Sequence, residues 1–175
     1  MLEGDEVSTT EMPSSGAPSA SALLLRLEVE EFYARYTRAV DRRALDDWVA
    51  LFAPDGSYSA TSYENFTTIG MRWFTSTGTE ELKDRVAVSN GYYFAPLTKE
   101  LHVVGNVLAT DNGDDSIDAE AYFVMYAVDR EGISKMHVCG EYHDVLVRVD
   151  GELRFKLHLA VVDSETLPAN MGVLL

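Results

Sequence analysis

From Leu101 to Asp163 the chain reads LHVVGNVLATDNGDDSIDAEAYFVMYAVDREGISKMHVCGEYHDVLVRVDGELRFKLHLAVVD, and the periodicity of this stretch decides the fold. Apolar side chains recur at every second residue, the spacing that places them on one face of a pleated strand. Three clusters of turn formers break the pattern: Asp111-Asn112-Gly113-Asp114, Arg130-Glu131-Gly132 and Asp150-Gly151. Each is a hairpin signal, because Gly, Asn and Asp accept the left-handed backbone that tight turns require. The reading predicts four long antiparallel strands, over residues 101–109, 116–129, 133–149 and 152–163. In the last of them Leu157, Leu159 and Val161 alternate with His158, Ala160 and Val162. His158 would then share a face with Arg154 and Lys156, a basic cluster open to solvent or to an acidic partner.

Upstream of this stretch the period is helical. Leu25, Val29, Phe32, Tyr33, Tyr36 and Val40 build one apolar stripe of a helix beginning near Ser21. Asp41-Arg42-Arg43 interrupts it, and Leu45, Trp48, Val49 and Phe52 give a second, short amphipathic helix. Pro54-Asp55-Gly56 should end that helix in a turn, with Tyr58 and Ala60 starting a strand. Thr77 followed by Glu80 has the spacing of a capping box ahead of Leu82 and Val86. Residues 1–20 are rich in Ser, Thr, Pro, Gly and acid. They are expected to form a disordered arm, since little there offsets the entropy of ordering a backbone. Residues 21–175 read as a single domain. Helices followed by a run of antiparallel strands define an α+β layout, with the helices on one face of the sheet.

Charge narrows the partners. Lys and Arg total 14 against 29 Asp and Glu, a formal net charge of −15. Such a surface repels phosphate backbones and anionic headgroups, so neither nucleic acid nor membrane is expected as a partner. No apolar run approaches the ~20 residues of a membrane helix. Cys139 is the lone cysteine, and Glu3, Asp5 and Glu6 stand where a signal peptide would be basic, so a cytoplasmic setting is expected.

Few residues offer chemistry. His137 and His143 lie six apart on one predicted strand, about 20 Å at ~3.3 Å per residue, too far to share a metal ion. Cys139, ahead of Gly140, reads as a small packing residue. Asp41 reads as a helix end that pairs with Arg42 or Arg43, and His102 as a histidine bonded within the sheet. Strand 116–129 is apolar on both faces: Ala119, Ala121, Phe123 and Met125 on one, Tyr122, Val124 and Tyr126 on the other. A sheet covered by helices needs one apolar face, so the second is an interface candidate. The segment Leu167, Met171, Val173, Leu174 and Leu175 is likewise too apolar for water and is expected to be buried at a neighbouring subunit.

Several of these segments, in order, resemble the small (beta) subunits of Rieske-type aromatic-ring-hydroxylating dioxygenases. Glu30-Glu31-Phe32-Tyr33 through Asp41-Arg42-Arg43 and Trp48-Val49-Ala50-Leu51-Phe52 is similar to that family's opening helix pair. Asp55, Tyr58 and Tyr63-Glu64-Asn65 continue it. Leu82-Lys83-Asp84-Arg85-Val86 and Leu101-His102-Val103-Val104-Gly105-Asn106-Val107 follow, and the finish from Asp163 through Leu167, Asn170 and Leu174 closes it. The likeness covers roughly residues 25–175. It departs at Leu101, where a basic residue is usual, at Met171-Gly172-Val173, and over residues 66–75. The resemblance implies the cone-shaped fold of the nuclear-transport-factor-like superfamily, a curved antiparallel sheet wrapped around a long N-terminal helix with shorter helices. It implies a structural subunit without catalytic residues or cofactor of its own. A homotrimer of such subunits would join three alpha subunits in a hetero-hexamer, the alpha subunits carrying a Rieske [2Fe–2S] cluster and a mononuclear iron. The same superfamily contains small-ligand-binding modules and free-standing dehydratases and isomerases that use an Asp and a His inside the cone. For the latter the resemblance implies Asp41 orienting His102, with Tyr36 or Tyr58 as a hydrogen-bonding wall.

Overall fold

The computed structural model describes residues 17–91, 97–163 and 174–175. Helix α1, Ala20–Asp41, starts where Ser19 accepts a hydrogen bond from the Ala22 N–H at 3.1 Å, satisfying one of the first-turn donors. Its buried residues are Val29, Phe32, Tyr33, Tyr36, Ala39 and Val40, nearly the stripe read from the sequence. Arg43, with φ of 54°, turns the chain into α2, Leu45–Ala50. Strand β1, Phe52–Ser62, leads to α3, Tyr63–Thr68, then β2, Phe74–Thr77, and α4, Gly78–Gly91. The four long strands follow as β3, Leu97–Asp111; β4, Ser116–Asp129; β5, Ser134–Val149; and β6, Glu152–Val162. Their hairpins fall at the turn clusters, with Gly113, Asp150 and Gly151 at positive φ.

All six strands form one curved sheet in the order β2-β1-β6-β5-β4-β3. The neighbours are antiparallel except β1 and β6, which run parallel. The first strand thus packs beside the last, and among the described residues β3 is an edge. Helix α1 lies in the concavity, where Phe155 meets Phe32 at 4.7 Å and Tyr36 at 5.5 Å between ring centroids. Phe123 stacks on Tyr142 at 4.4 Å. Side chains of this size are worth about 1.5–3 kcal/mol each when fully buried, so this cluster is the main force holding helix to sheet. At the rim Arg148 grips Glu28 with two bonds of 2.7 Å, tying β5 to α1. That guanidinium holds the Glu28 carboxyl below its usual range.

Three local expectations need correction. Pro54-Asp55-Gly56 does not end a helix in a turn; it lies inside β1, where the register with β6 slips between Phe52 and Ser57. Proline has no N–H for a ladder and is accommodated at such an irregularity. Thr77 does not form its box with Glu80. The Glu81 carboxylate accepts from the Thr77 N–H at 2.7 Å, while Glu80 pairs with Lys83. The third correction concerns β6. Its register against β5 shifts between Val145 and Leu146, which face Leu157 and Phe155. That extra residue reverses the alternation, and His158 enters the core with Phe155 and Ala160 instead of joining Arg154 and Lys156 outside. Lys156 instead pairs with Asp55 across the sheet.

Candidate functional site

Asp41 and His102 meet. The last residue of α1 faces edge strand β3, and Asp41 Oδ1 lies 2.7 Å from His102 Nδ1. Both carboxylate oxygens also accept from the His102 main-chain N–H, at 3.1 and 3.2 Å. A free edge carries unpaired N–H groups, and Asp41 covers one of them. The His102 side chain is 0% exposed, and among the described residues its Nε2 has no hydrogen-bond partner. An Asp–His pair moves a substrate proton only through that second nitrogen. A cleft of about 600 Å³ opens alongside, lined by Thr37, Arg38, Asp41, His102 and Val104 among others. Glu100, buried two residues upstream, has its carboxyl raised by desolvation, an effect that the His102 and Arg43 charges oppose.

Tyr36 and Tyr58 do not form a wall around His102. They belong to a second pair, Asp144 and His158, which the sequence reading missed. His158 Nδ1 lies 2.8 Å from Asp144 Oδ1, and neither side chain is exposed. Asp144 also accepts from Tyr33 Oη at 2.8 Å and from the Leu159 N–H at 3.1 Å. On its other side His158 Nε2 lies 2.9 Å from Tyr36 Oη. Tyr58 stacks over the imidazole, centroids 5.5 Å apart. Burial pushes the Tyr33, Tyr36 and Tyr58 hydroxyls above their ordinary range, and the Asp144 charge adds to this at Tyr33. A buried polar group is tolerated only when its bonds are made, and here they are made internally. Asp144 could have been found from sequence, since it shares the inward parity of Tyr142 and Leu146 on β5. His158 could not, because the bulge on β6 hides its parity.

Leu174 and Leu175 close this network. They are 2% and 7% exposed, packed in the core of their own chain. The Leu175 N–H donates to Tyr58 Oη at 2.9 Å, and its oxygen accepts from Tyr36 Oη. The expectation that these two residues sit at a neighbouring subunit is therefore corrected: the cone supplies its own apolar lining for them. Leu167, Met171 and Val173 lie outside the described residues. Tyr122 and Tyr126 are 56% and 41% exposed on the convex face, with Val124 between them half-buried.

The chain's own donors do not fit an iron centre. A Rieske cluster takes two Cys and two His, and only Cys139 is present. Among the described residues no group of three or more His, Cys, Asp or Glu could hold a metal ion. Nor, among them, is any helix long and apolar enough to cross a membrane.

A curved sheet closed around a long helix, with polar pairs inside the cone, defines a recognisable α+β class. The family model described as the SnoaL-like domain matches residues 21–157, and the chain belongs to that family. Among curated proteins it is similar to the terephthalate 1,2-dioxygenase terminal oxygenase component subunit beta 1 of Comamonas sp., 24% identical over 86% of this chain and 99% of that one. Among solved structures it resembles one from Novosphingobium aromaticivorans assigned as the beta subunit of an aromatic-ring-hydroxylating dioxygenase. That likeness has a TM-score of 0.76 at 22% identity and covers 87% of this chain and 97% of the other. A structure from the same organism assigned as a scytalone dehydratase shares the fold at a TM-score of 0.65 and 18% identity, covering 87% and 96%.

Proposed function

We propose that this chain is the non-catalytic beta subunit of a multicomponent aromatic-ring-hydroxylating dioxygenase, a cytoplasmic oxidoreductase of aromatic catabolism. Residues 21–175 form its single domain behind an N-terminal arm. Three copies assemble with three alpha subunits, which carry the Rieske [2Fe–2S] cluster and the mononuclear iron. The observation that carries this reading is the convex face of the sheet. Leu101 and Val103 on β3, Tyr122, Val124 and Tyr126 on β4, and Met136 on β5 are cross-strand neighbours there, five of the six exposed. A chain of net charge −15 gains nothing as a monomer from such a patch, whereas burying it at a subunit contact is worth ~25 cal/mol per Å². The curated relative named as an oxygenase beta subunit, matched over nearly its whole length, supports the same reading.

The Asp41–His102 geometry favours a second reading, a free-standing acid–base enzyme. Against it stands the sealed Nε2, which gives a substrate no nitrogen to meet. Sedimentation decides between the two. The isolated chain should associate at micromolar concentration, and Tyr122→Glu or Tyr126→Glu should shift it to monomer without lowering its melting temperature appreciably. A wild-type chain that stays monomeric, alone and with its alpha subunit, would defeat the proposal.

A further inference from the structure

Leu174 and Leu175 lie outside every helix and strand, yet the polar groups of Leu175 are held at both ends. Tyr58 Oη accepts from its N–H at 2.9 Å; its oxygen accepts from Tyr36 Oη and lies 3.3 Å from His158 Nε2. The three gripping residues come from β6, β1 and α1, and all are fully buried. Each is fixed by contacts that do not involve what it grips. His158 is anchored through Asp144, Tyr58 packs against Trp48 at 5.4 Å, and Tyr36 packs against Phe155 and Tyr142. The grip is thus organised by the core before its occupant arrives, the condition under which binding loses least entropy. A main-chain N–H and C=O held by side chains, with flanking alkyl groups in an apolar lining, is the chemistry of peptide capture.

We propose that Tyr36, Tyr58 and His158 form a socket for an apolar dipeptide, with Leu174–Leu175 as its resident ligand. The ligand class is a short peptide or secondary amide with a donor and an acceptor on adjacent main-chain positions and branched aliphatic side chains. Those two residues dock as a separable piece, and a free peptide of the same chemistry takes their place once they are removed. This goes beyond the subunit reading and stands or falls without it.

Thermal unfolding of the full chain lacking only residues 174 and 175 tests the socket. The truncated chain should melt roughly 10 °C lower, from the loss of two buried leucines. Millimolar N-acetyl-Leu-Leu amide should restore the midpoint progressively, rising with the logarithm of its concentration. N-acetyl-Gly-Gly amide should not restore it, and Tyr58→Phe in the truncated chain should cut the rescue by removing the acceptor for the peptide N–H. An unchanged midpoint on truncation, no rescue by the Leu-Leu peptide, or equal rescue by the Gly-Gly peptide overturns the proposal. If the truncated chain does not fold, amide exchange in the intact protein decides. The Leu175 N–H should exchange at least roughly a hundredfold more slowly than in an unstructured peptide, and exchange at the free rate overturns the socket.

Discussion

Glu100 and Asp144 are both carboxyls inside the fold, and they differ in how their acceptors are used. Asp144 accepts from a tyrosine and a main-chain N–H and faces an imidazole nitrogen, whereas among the described residues Glu100 Oε1 has no hydrogen-bond partner. Desolvation raises the Glu100 carboxyl above its ordinary value of 4.5. A carboxyl raised on folding holds a proton that the unfolded chain has already released, so stability falls as pH rises through the folded-state pKa. Below about pH 4 both states are protonated and the penalty vanishes. Glu100→Gln should therefore raise the melting temperature at pH 7, and the gain should shrink to nothing towards pH 4. Melting curves across that range check it, and a loss of stability at pH 7 would show that the carboxylate makes a contact glutamine cannot replace. At this scale the Asp41–His102 pair was legible only through the family resemblance, because neither the helical nor the strand period by itself brings those two residues together. The roles of Tyr36 and Tyr58 were not, since their partner His158 changes face through a bulge that depends on the opposite strand.

On β5, Gly140 pairs with Val162 of β6. A Cβ added there would fall on the Val161 carbonyl oxygen, a main-chain atom held in the sheet. Gly140→Ala should cost about 1–3 kcal/mol or more, the usual penalty of overpacking, and urea unfolding would measure it. Gly105→Ala on β3 is the matched control, because nothing lies within 4 Å of its added methyl. Equal stability of the two variants would mean that β5 and β6 can separate at no cost. The long strands were readable from alternation and turn residues, with β4 falling at Ser116–Asp129 as expected. What escaped were features without a period. Helix α3 has six residues and none buried, so it carries no apolar stripe to read. The register shifts set residues 53–56 of β1 against one residue of β6, and place an extra residue on β5 against β4 and on β6 against β5, pairings invisible in either strand alone.

For the whole molecule, Asp144, His158, Tyr33, Tyr36 and Tyr58 are engaged by one another and by main-chain groups of the same chain, while an exposed apolar patch lies on the convex side of the sheet. On the proposed subunit reading, this arrangement inverts the one an enzyme usually has. On the same reading Asp41 and His102 are structural: the carboxylate accepts from an edge-strand N–H and pairs with the buried imidazole. Asp41→Asn and His102→Ala should then lower the melting temperature of this chain, because each leaves a buried polar group short of a partner. In an oxygenase reconstituted with its alpha subunit, both variants should keep turnover within a few fold once assembly is matched. Turnover, sedimentation and bound iron measured on the same preparation separate the two roles. A loss of roughly a hundredfold in turnover, with assembly and iron content intact, corresponds to about 2.7 kcal/mol of transition-state stabilisation. An effect of that size would place a proton-transfer step on His102 and make this chain a catalytic partner.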